Sequence, residues 1–250
     1  MAGGYLALEP SPHAPLRLFC FHHAGAGALS FARWQKRFSA DVSIVPVRLP
    51  GRESRLREAR ITDRGQLLEA LDVHLGPLLD RPHAFYGHSM GALVAYSFAA
   101  HRAEWGLRPP ELVVAAACSA PDRPMPVLER ADLSDLELVR VLSGADGISP
   151  YLLERPGWLQ LMTATLRDDL RLARSLRLGA RLPLESPLLA MAGDRDTLVP
   201  AEAVRAWGAW TNGGFRDLTV DGDHFFVRDP VAPLLVEAAL DSLARLAPTR

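Results

Sequence analysis

The sequence predicts an α/β fold: a mostly parallel, doubly wound sheet flanked by helices, with a helical lid insertion. Three observations predict it. Short apolar runs alternate with longer stretches of helical periodicity, the rhythm of strand–helix–strand units. Most of those runs are apolar throughout, as strands covered on both faces are. One long segment, 121–183, breaks the rhythm with helical pieces and no convincing strand. A chain of 250 residues fits a single α/β domain, so residues 1–250 are read as one domain carrying 121–183 as a helical lid insertion.

The elements run in order along the chain. "LRLFCF" (Leu16 to Phe21) and "VSIVPV" (Val42 to Val47) read as strands, and Pro46 interrupts the second or puts it at a sheet edge. Helices are expected over Leu29 to Phe38 and Asp63 to Leu79. The strand "HAFY" (His83 to Tyr86) runs into a helix from Met90 to His101, and "LVVAAA" (Leu112 to Ala117) is the fourth strand. The insertion contributes "LSDLELVRVLSG", "SPYLLE" and "RPGWLQLMTATLRDDLRLARSLRLG". In the last, Leu159, Met162, Leu166, Leu170 and Ala173 recur at helical spacing as an apolar stripe. "PLLAMA" (Pro187 to Ala192) and "FRDLTV" (Phe215 to Val220) complete the strands, with helices at Ala201 to Ala209 and Val231 to Leu246. In such a sheet, ligands are expected at the carboxyl ends of the strands.

Composition excludes several classes. A net charge of −1 and a pI near 6.7 provide no global field for nucleic acid or an anionic membrane. Cys20 and Cys118, far apart and inside apolar runs, make no disulfide framework and suit a reducing cytoplasm. The N-terminus lacks a basic, apolar leader, and no run approaches the roughly 20 apolar residues of a membrane span. A soluble cytoplasmic protein is expected, and a monomer, since no extended apolar face demands a partner.

The chemistry centres on "GHSMGALVAY" (Gly87 to Tyr96), where Ser89 sits in a G-x-S-x-G turn between a strand and a helix. That pattern alone arises by chance in about one chain in ten of this length, so the residues downstream of it decide its meaning. A serine hydroxyl needs a histidine to take its proton and a carboxylate to orient the histidine. In α/β-hydrolases these come in chain order Ser, Asp or Glu, His, each after a strand. Here Asp194 and Asp196 come after the fifth strand and His224 after the sixth. The ordered set makes Ser89 the nucleophile and His224 the base; of the two aspartates, Asp196, two residues deeper in the turn and just ahead of the helix expected from about Pro200, is taken as the acid. Asp194 is expected to brace the turn through backbone amides. The oxyanion donors are expected to be the backbone N–H groups of Met90, next after the nucleophile, and of Ala24 in "FHHAGAGALSF". "GAGALS" has neither the G-x-G-x-x-G of a dinucleotide site nor the Gly-Lys of a P-loop, and no zinc spacing occurs. Nothing asks for a metal or a bound cofactor.

Four motifs resemble the discrete type II thioesterases that accompany polyketide synthases and nonribosomal peptide synthetases. "FHHAGAGALSF" is similar to that family's F-P-H-A-G-G-S-A-x-x-F/Y loop, and "LPGRESRL" to its P-G-R-x-x-R segment. "YGHSMGALVAY" is similar to its nucleophile turn and "GDHFF" to its histidine turn; "LSDLELVRVL" and "LRDDLRL" look like its lid. The resemblance spans about Leu16 to Leu246. It departs at His22, where the family usually has proline, and at Ala26-Gly27, where it has Gly-Ser. It implies a substrate: an acyl group in thioester linkage to the phosphopantetheine arm of an acyl or peptidyl carrier protein, removed when stalled or wrongly primed. Because carrier proteins are usually acidic, Arg52 and Arg55, or the face of Arg167, Arg171 and Arg174, are expected to steer docking. The rival functions are a chain-releasing medium-chain thioesterase, a carboxylesterase, and a catalytically silent partner that only binds the synthase.

Overall fold

All six apolar runs become strands of one parallel sheet, ordered β2-β1-β3-β4-β5-β6. The computed structural model describes residues 4–126, 128, 134–142 and 156–246. The strands are β1 (Leu16–Phe21), β2 (Val42–Pro46), β3 (His83–His88), β4 (Val113–Ala116), β5 (Leu188–Gly193) and β6 (Phe215–Val220). Pro46 ends β2 at the sheet edge, where its missing N–H costs no ladder bond.

Side chains leave a strand alternately to its two faces, and both faces are covered. Phe19, Phe21, Phe85, Val113, Ala115 and Ala190 pack on one side. They meet α1 (Arg64–Leu75), α2 (Met90–Glu104) and the long α4 (Pro156–Gly179), whose Leu67, Leu93 and Leu170 enter the same core. Leu18, Cys20, Tyr86, Val114 and Met191 pack on the other, against Phe31, Trp34 and α6 (Val231–Leu246), which contributes Ala232, Val236 and Leu240. This two-sided burial is why the runs carry so few polar residues.

Three of the expected helices are altered. The stretch Leu29 to Phe38 forms two 3-10 turns, Ala28–Phe31 and Trp34–Arg37, instead of one α-helix. Ala28, Phe31 and Trp34, three residues apart, are all buried; side chains at that spacing line up in a 3-10 turn but drift around an α-helix. The Asp63 to Leu79 stretch begins as expected: the Asp63 carboxylate accepts the Gln66 N–H at 3.0 Å as an N-cap. It ends as α-helix at Leu75, and Pro77 sits in a 3-10 turn beyond. The Ala201 to Ala209 stretch is helical only as α5 (Ala201–Arg205), then tightens to a 3-10 turn from Ala206 to Trp210.

Between β4 and β5 the described residues hold α3 (Asp135–Leu142) and α4, and no strand. "SPYLLE" lies outside the described residues. On α4 the expected stripe is only partly right: Leu166, Leu170 and Ala173 are buried, whereas Met162 is 36% exposed. α4 packs against α1, α2 and α3.

Candidate active site

β3 ends in a turn that leaves almost no room for side chains. A Cβ on Gly87 would overlap the Gly91 carbonyl, and one on Gly91 would overlap the Phe21 carbonyl of β1. Between them Ser89 adopts φ 54°, ψ −118°, a conformation that costs a non-glycine residue about 1–3 kcal/mol. Its N–H is nonetheless bonded to the Ala116 carbonyl of β4 at 2.8 Å, so the strained residue is held by the sheet. Met90 opens α2, and a first-turn N–H has no intrahelical acceptor.

The β5 and β6 turns meet at the same rim. His224 Nε2 lies 3.1 Å from Ser89 Oγ, and His224 Nδ1 lies 2.8 Å from Asp196 Oδ2. A carboxylate only accepts, so Nδ1 carries the hydrogen and the Nε2 lone pair faces the serine hydroxyl. The Asp196 side chain is fully buried, and its Oδ1 takes the Leu198 and Val199 amides at 2.8 and 2.9 Å. Asp194 stands apart: exposed, it accepts the Gly222 N–H at 2.9 Å and so ties the β5 turn to the β6 turn. Asp194 thus bonds a backbone amide as expected, but one in the neighbouring turn; Asp196 caps the β5 turn itself while also meeting the histidine.

Three further histidines shape the site. His88 Nε2 is 2.7 Å from the His224 carbonyl and its Nδ1 is 3.0 Å from the Tyr86 hydroxyl. A carbonyl cannot donate, so Nε2 carries the hydrogen and Tyr86 donates to Nδ1. Burial pushes the His88 pKa well below the usual imidazole range, which keeps the ring neutral in this role. His23 packs edge-on against His88 and Phe225, with its pKa likewise pushed well down by burial. His22, where the resembling family has proline, is buried near Arg52. Its pKa falls to about 3, and its Nδ1–H reaches the His23 carbonyl at 2.9 Å. Sequence reasoning did not find the Tyr86–His88 chain; the signal was alternation, since residues 86 and 88 share one face of β3.

Ala24 stands in a tight turn closed by Ala26 N–H to the His23 carbonyl at 3.2 Å, with Gly25 at φ +76°. Ala24, Ser89, Met90 and His224 line one cavity of about 40 Å³. Its other described walls are mainly apolar, among them Leu93, Met125, Leu128, and Leu170 and Ala173 of α4.

The arginines singled out from sequence divide. Arg52 and Arg55 are buried, which corrects the expectation that they steer a partner. Arg55 lies against the Tyr5 ring and pairs with Glu58. Arg52 pairs with Asp169 of α4 at 2.7 Å. Arg167 bridges to Asp135 of α3 at 2.9 Å, while Arg171 and Arg174 are exposed. Asp169 was not anticipated, although a carboxylate at position 169, inside the Leu166–Leu170–Ala173 stripe, marks a buried charge that needs a partner.

A family model described as a thioesterase domain matches residues 16–240. The protein named Linear gramicidin dehydrogenase LgrE, from Brevibacillus parabrevis, is 32% identical over 95% of this chain and 92% of its own length. Gramicidin S biosynthesis protein GrsT, from Aneurinibacillus migulanus, is 32% identical over 86% of this chain and 84% of its own. The solved structure of RedJ, a thioesterase from the prodiginine biosynthetic pathway in Streptomyces coelicolor, superposes with a TM-score of 0.82. It is 33% identical, over 95% of this chain and 94% of that one.

Proposed function

The chain belongs to the thioesterase domain family, and from that premise we propose that Ser89, His224 and Asp196 are the catalytic triad of a type II thioesterase. The substrate is an acyl group on the phosphopantetheine arm of an acyl or peptidyl carrier protein, and its removal edits stalled or wrongly primed chains from a polyketide or nonribosomal peptide synthase. The relatives support the last point: GrsT is named for gramicidin S biosynthesis, RedJ is a thioesterase of the prodiginine biosynthetic pathway, and BorB is a type II thioesterase of the borrelidin biosynthetic cluster.

Ser89 Oγ attacks the thioester carbonyl while His224 Nε2 takes its proton, and Asp196 holds the imidazole by Nδ1–H. The Met90 and Ala24 amides receive the oxyanion. The tetrahedral adduct collapses, the carbon–sulfur bond breaks, and His224 returns the proton to the departing thiolate. Water, deprotonated by His224, then attacks the acyl-serine; the acid leaves and the serine recovers its proton. The insertion carrying α4 walls the acyl chamber and acts as a lid, which keeps bulk water from the intermediate.

One observation carries this reading: the unbroken Ser89–His224–Asp196 chain of 3.1 and 2.8 Å contacts opening on an apolar cavity. LgrE is a dehydrogenase by name; in this chain the loop after β1 is not a G-x-G-x-x-G and leads into a 3-10 turn, and the Ser89–His224–Asp196 chain supports hydrolysis. The test compares acyl-carrier protein, acyl-N-acetylcysteamine and p-nitrophenyl esters as substrates. Preference for the acyl-carrier thioester is expected. Faster turnover of the oxygen esters makes the protein a carboxylesterase, and no turnover of any makes it a silent partner.

A further inference from the structure

The loop bearing Ala24 is held from outside the sheet. Asp169, on α4 and 1% exposed, accepts the Gly25 N–H on Oδ2 at 2.7 Å. The same carboxylate takes Arg52 as a fork, Nη2 to Oδ1 at 2.7 Å and Nη1 to Oδ2 at 3.0 Å. Arg52 Nη1 also donates to the Ala26 carbonyl at 2.8 Å. Both residues that come after Ala24 are thus gripped by one buried ion pair. Glu53 adds the Leu29 N–H at 2.9 Å.

The helix that supplies Asp169 is itself pinned. Asp168 pairs with Arg60 at 2.7 Å, and Ser175 Oγ takes the Arg64 N–H at 2.9 Å. The residue after Asp169 is Leu170, a wall of the acyl chamber. One turn of α4 therefore touches the chamber with one residue and the loop with its neighbour.

The geometry points to Arg52 and Asp169 as positioning residues that lock the oxyanion loop to the helix walling the acyl chamber, and so set the placement of the Ala24 amide. This rests on the triad and oxyanion assignment proposed above. A buried ion pair is weak evidence of stabilisation, because desolvating two charges offsets most of their attraction. What this pair supplies that an apolar pair cannot is an acceptor for the Gly25 N–H and a donor for the Ala26 carbonyl. Its value is in geometry, and a displacement of about 1 Å at a reacting centre costs on the order of 10²-fold in rate.

The test replaces the pair with apolar residues, Arg52→Met with Asp169→Leu, which removes both charges together and so leaves neither of them buried without its counter-ion. Turnover of an acyl-N-acetylcysteamine and affinity for a trifluoromethyl ketone, whose serine adduct places an oxyanion in the hole, are measured beside thermal unfolding. The expected result is a folded protein with KM within about twofold of the parent, kcat lower by on the order of 10²-fold, and inhibitor affinity lower by the same factor. A stable double variant with parental kcat and inhibitor affinity overturns the inference, since a merely structural pair is fully replaced. Asp169→Asn, nearly isosteric, provides the same readouts should the double variant not fold. Ser89→Ala separates the two failures: if it keeps parental turnover the triad reading falls, whereas an inactive Ser89→Ala beside a fully active double variant sinks only this inference.

Discussion

The two halves of the site are built by different means. Asp196 and His224 stand on turns that continue adjacent parallel strands, and backbone bonds zip those turns together: Asp194 N–H to the Val220 carbonyl at 2.9 Å and Arg195 N–H to that of Gly222 at 3.0 Å. Everything needed there lies within a few residues of a strand end. The loop after β1 has no such neighbour. Its amides and carbonyls are satisfied by Arg52, Glu53 and Asp169, the last of them 144 positions from Gly25. The acid–base half thus comes from sheet topology, while the proposed oxyanion half depends on an insertion packing correctly over the sheet. Sequence change in the insertion is therefore expected to reach the chemistry through the oxyanion loop first.

The largest effects are expected at the proposed triad. Ser89→Ala or His224→Ala is expected to lower kcat on an acyl thioester by roughly 10⁴–10⁶-fold, leaving the contribution of binding and the oxyanion amides. Asp196→Asn should cost about 10⁴-fold by favouring the wrong imidazole tautomer, whereas Asp194→Asn, whose partner is a backbone amide, should stay within about tenfold. Steady-state kinetics on the two variants decides which aspartate belongs to the acid–base half. If Asp194→Asn proves the worse, the assignment is reversed.

A smaller effect sharpens what holds the histidine. His88→Phe leaves the buried His224 carbonyl without its donor, which should cost about 1–3 kcal/mol of stability by denaturant unfolding. Its kcat should fall by about tenfold or more as the imidazole shifts, because placement at a reacting centre is that sensitive. Parental kcat with lowered stability would leave His88 as a core residue only.

Acid should loosen the core around both halves together. The folded pKa values of His22, His23 and His88 are all depressed by burial, His22 to about 3. The unfolded chain therefore binds these protons first, below a pH of about 6.5, and stability falls as pH drops from there. Below that pH unfolding should take up protons at these positions, and each proton taken up contributes a slope of about 1.4 kcal/mol per pH unit. Denaturant midpoints between pH 7 and 5 check the sign; a flat profile contradicts the buried neutral state of these rings.

The smallest effect concerns the outer face of α4. Arg171 and Arg174 are exposed, so reversing both to glutamate should raise KM for an acyl-carrier protein severalfold and leave acyl-N-acetylcysteamine unaffected. Equal effects on both substrates would remove this face from docking.

Much of the fold was legible because its signals are local. Strand β1 matches "LRLFCF" residue for residue, since an apolar run bounded by turn residues admits few other endings; β6 matches "FRDLTV" as well, although its side chains are mostly exposed or half-buried. The helix ends were harder. Leu29 to Phe38 has helix-forming composition, and only the packing of Phe31 and Trp34 against Tyr86 selects period three over 3.6. Arg52 was misread for a related reason: from sequence, an arginine in a loop rich in charge reads as solvated, and nothing local reveals a carboxylate 117 positions away.

The sequence by itself determined the parallel sheet, the order of serine, aspartate and histidine along it, and the glycines that the nucleophile turn demands, because each depends on neighbours within a few residues. The choice of Asp196 over Asp194 follows from its place in the turn, and only the tertiary structure decided which histidine anchors the imidazole and that Arg52 faces inward. Those outcomes depend on groups brought together by burial, where an unpaired charge or carbonyl is too costly to leave alone.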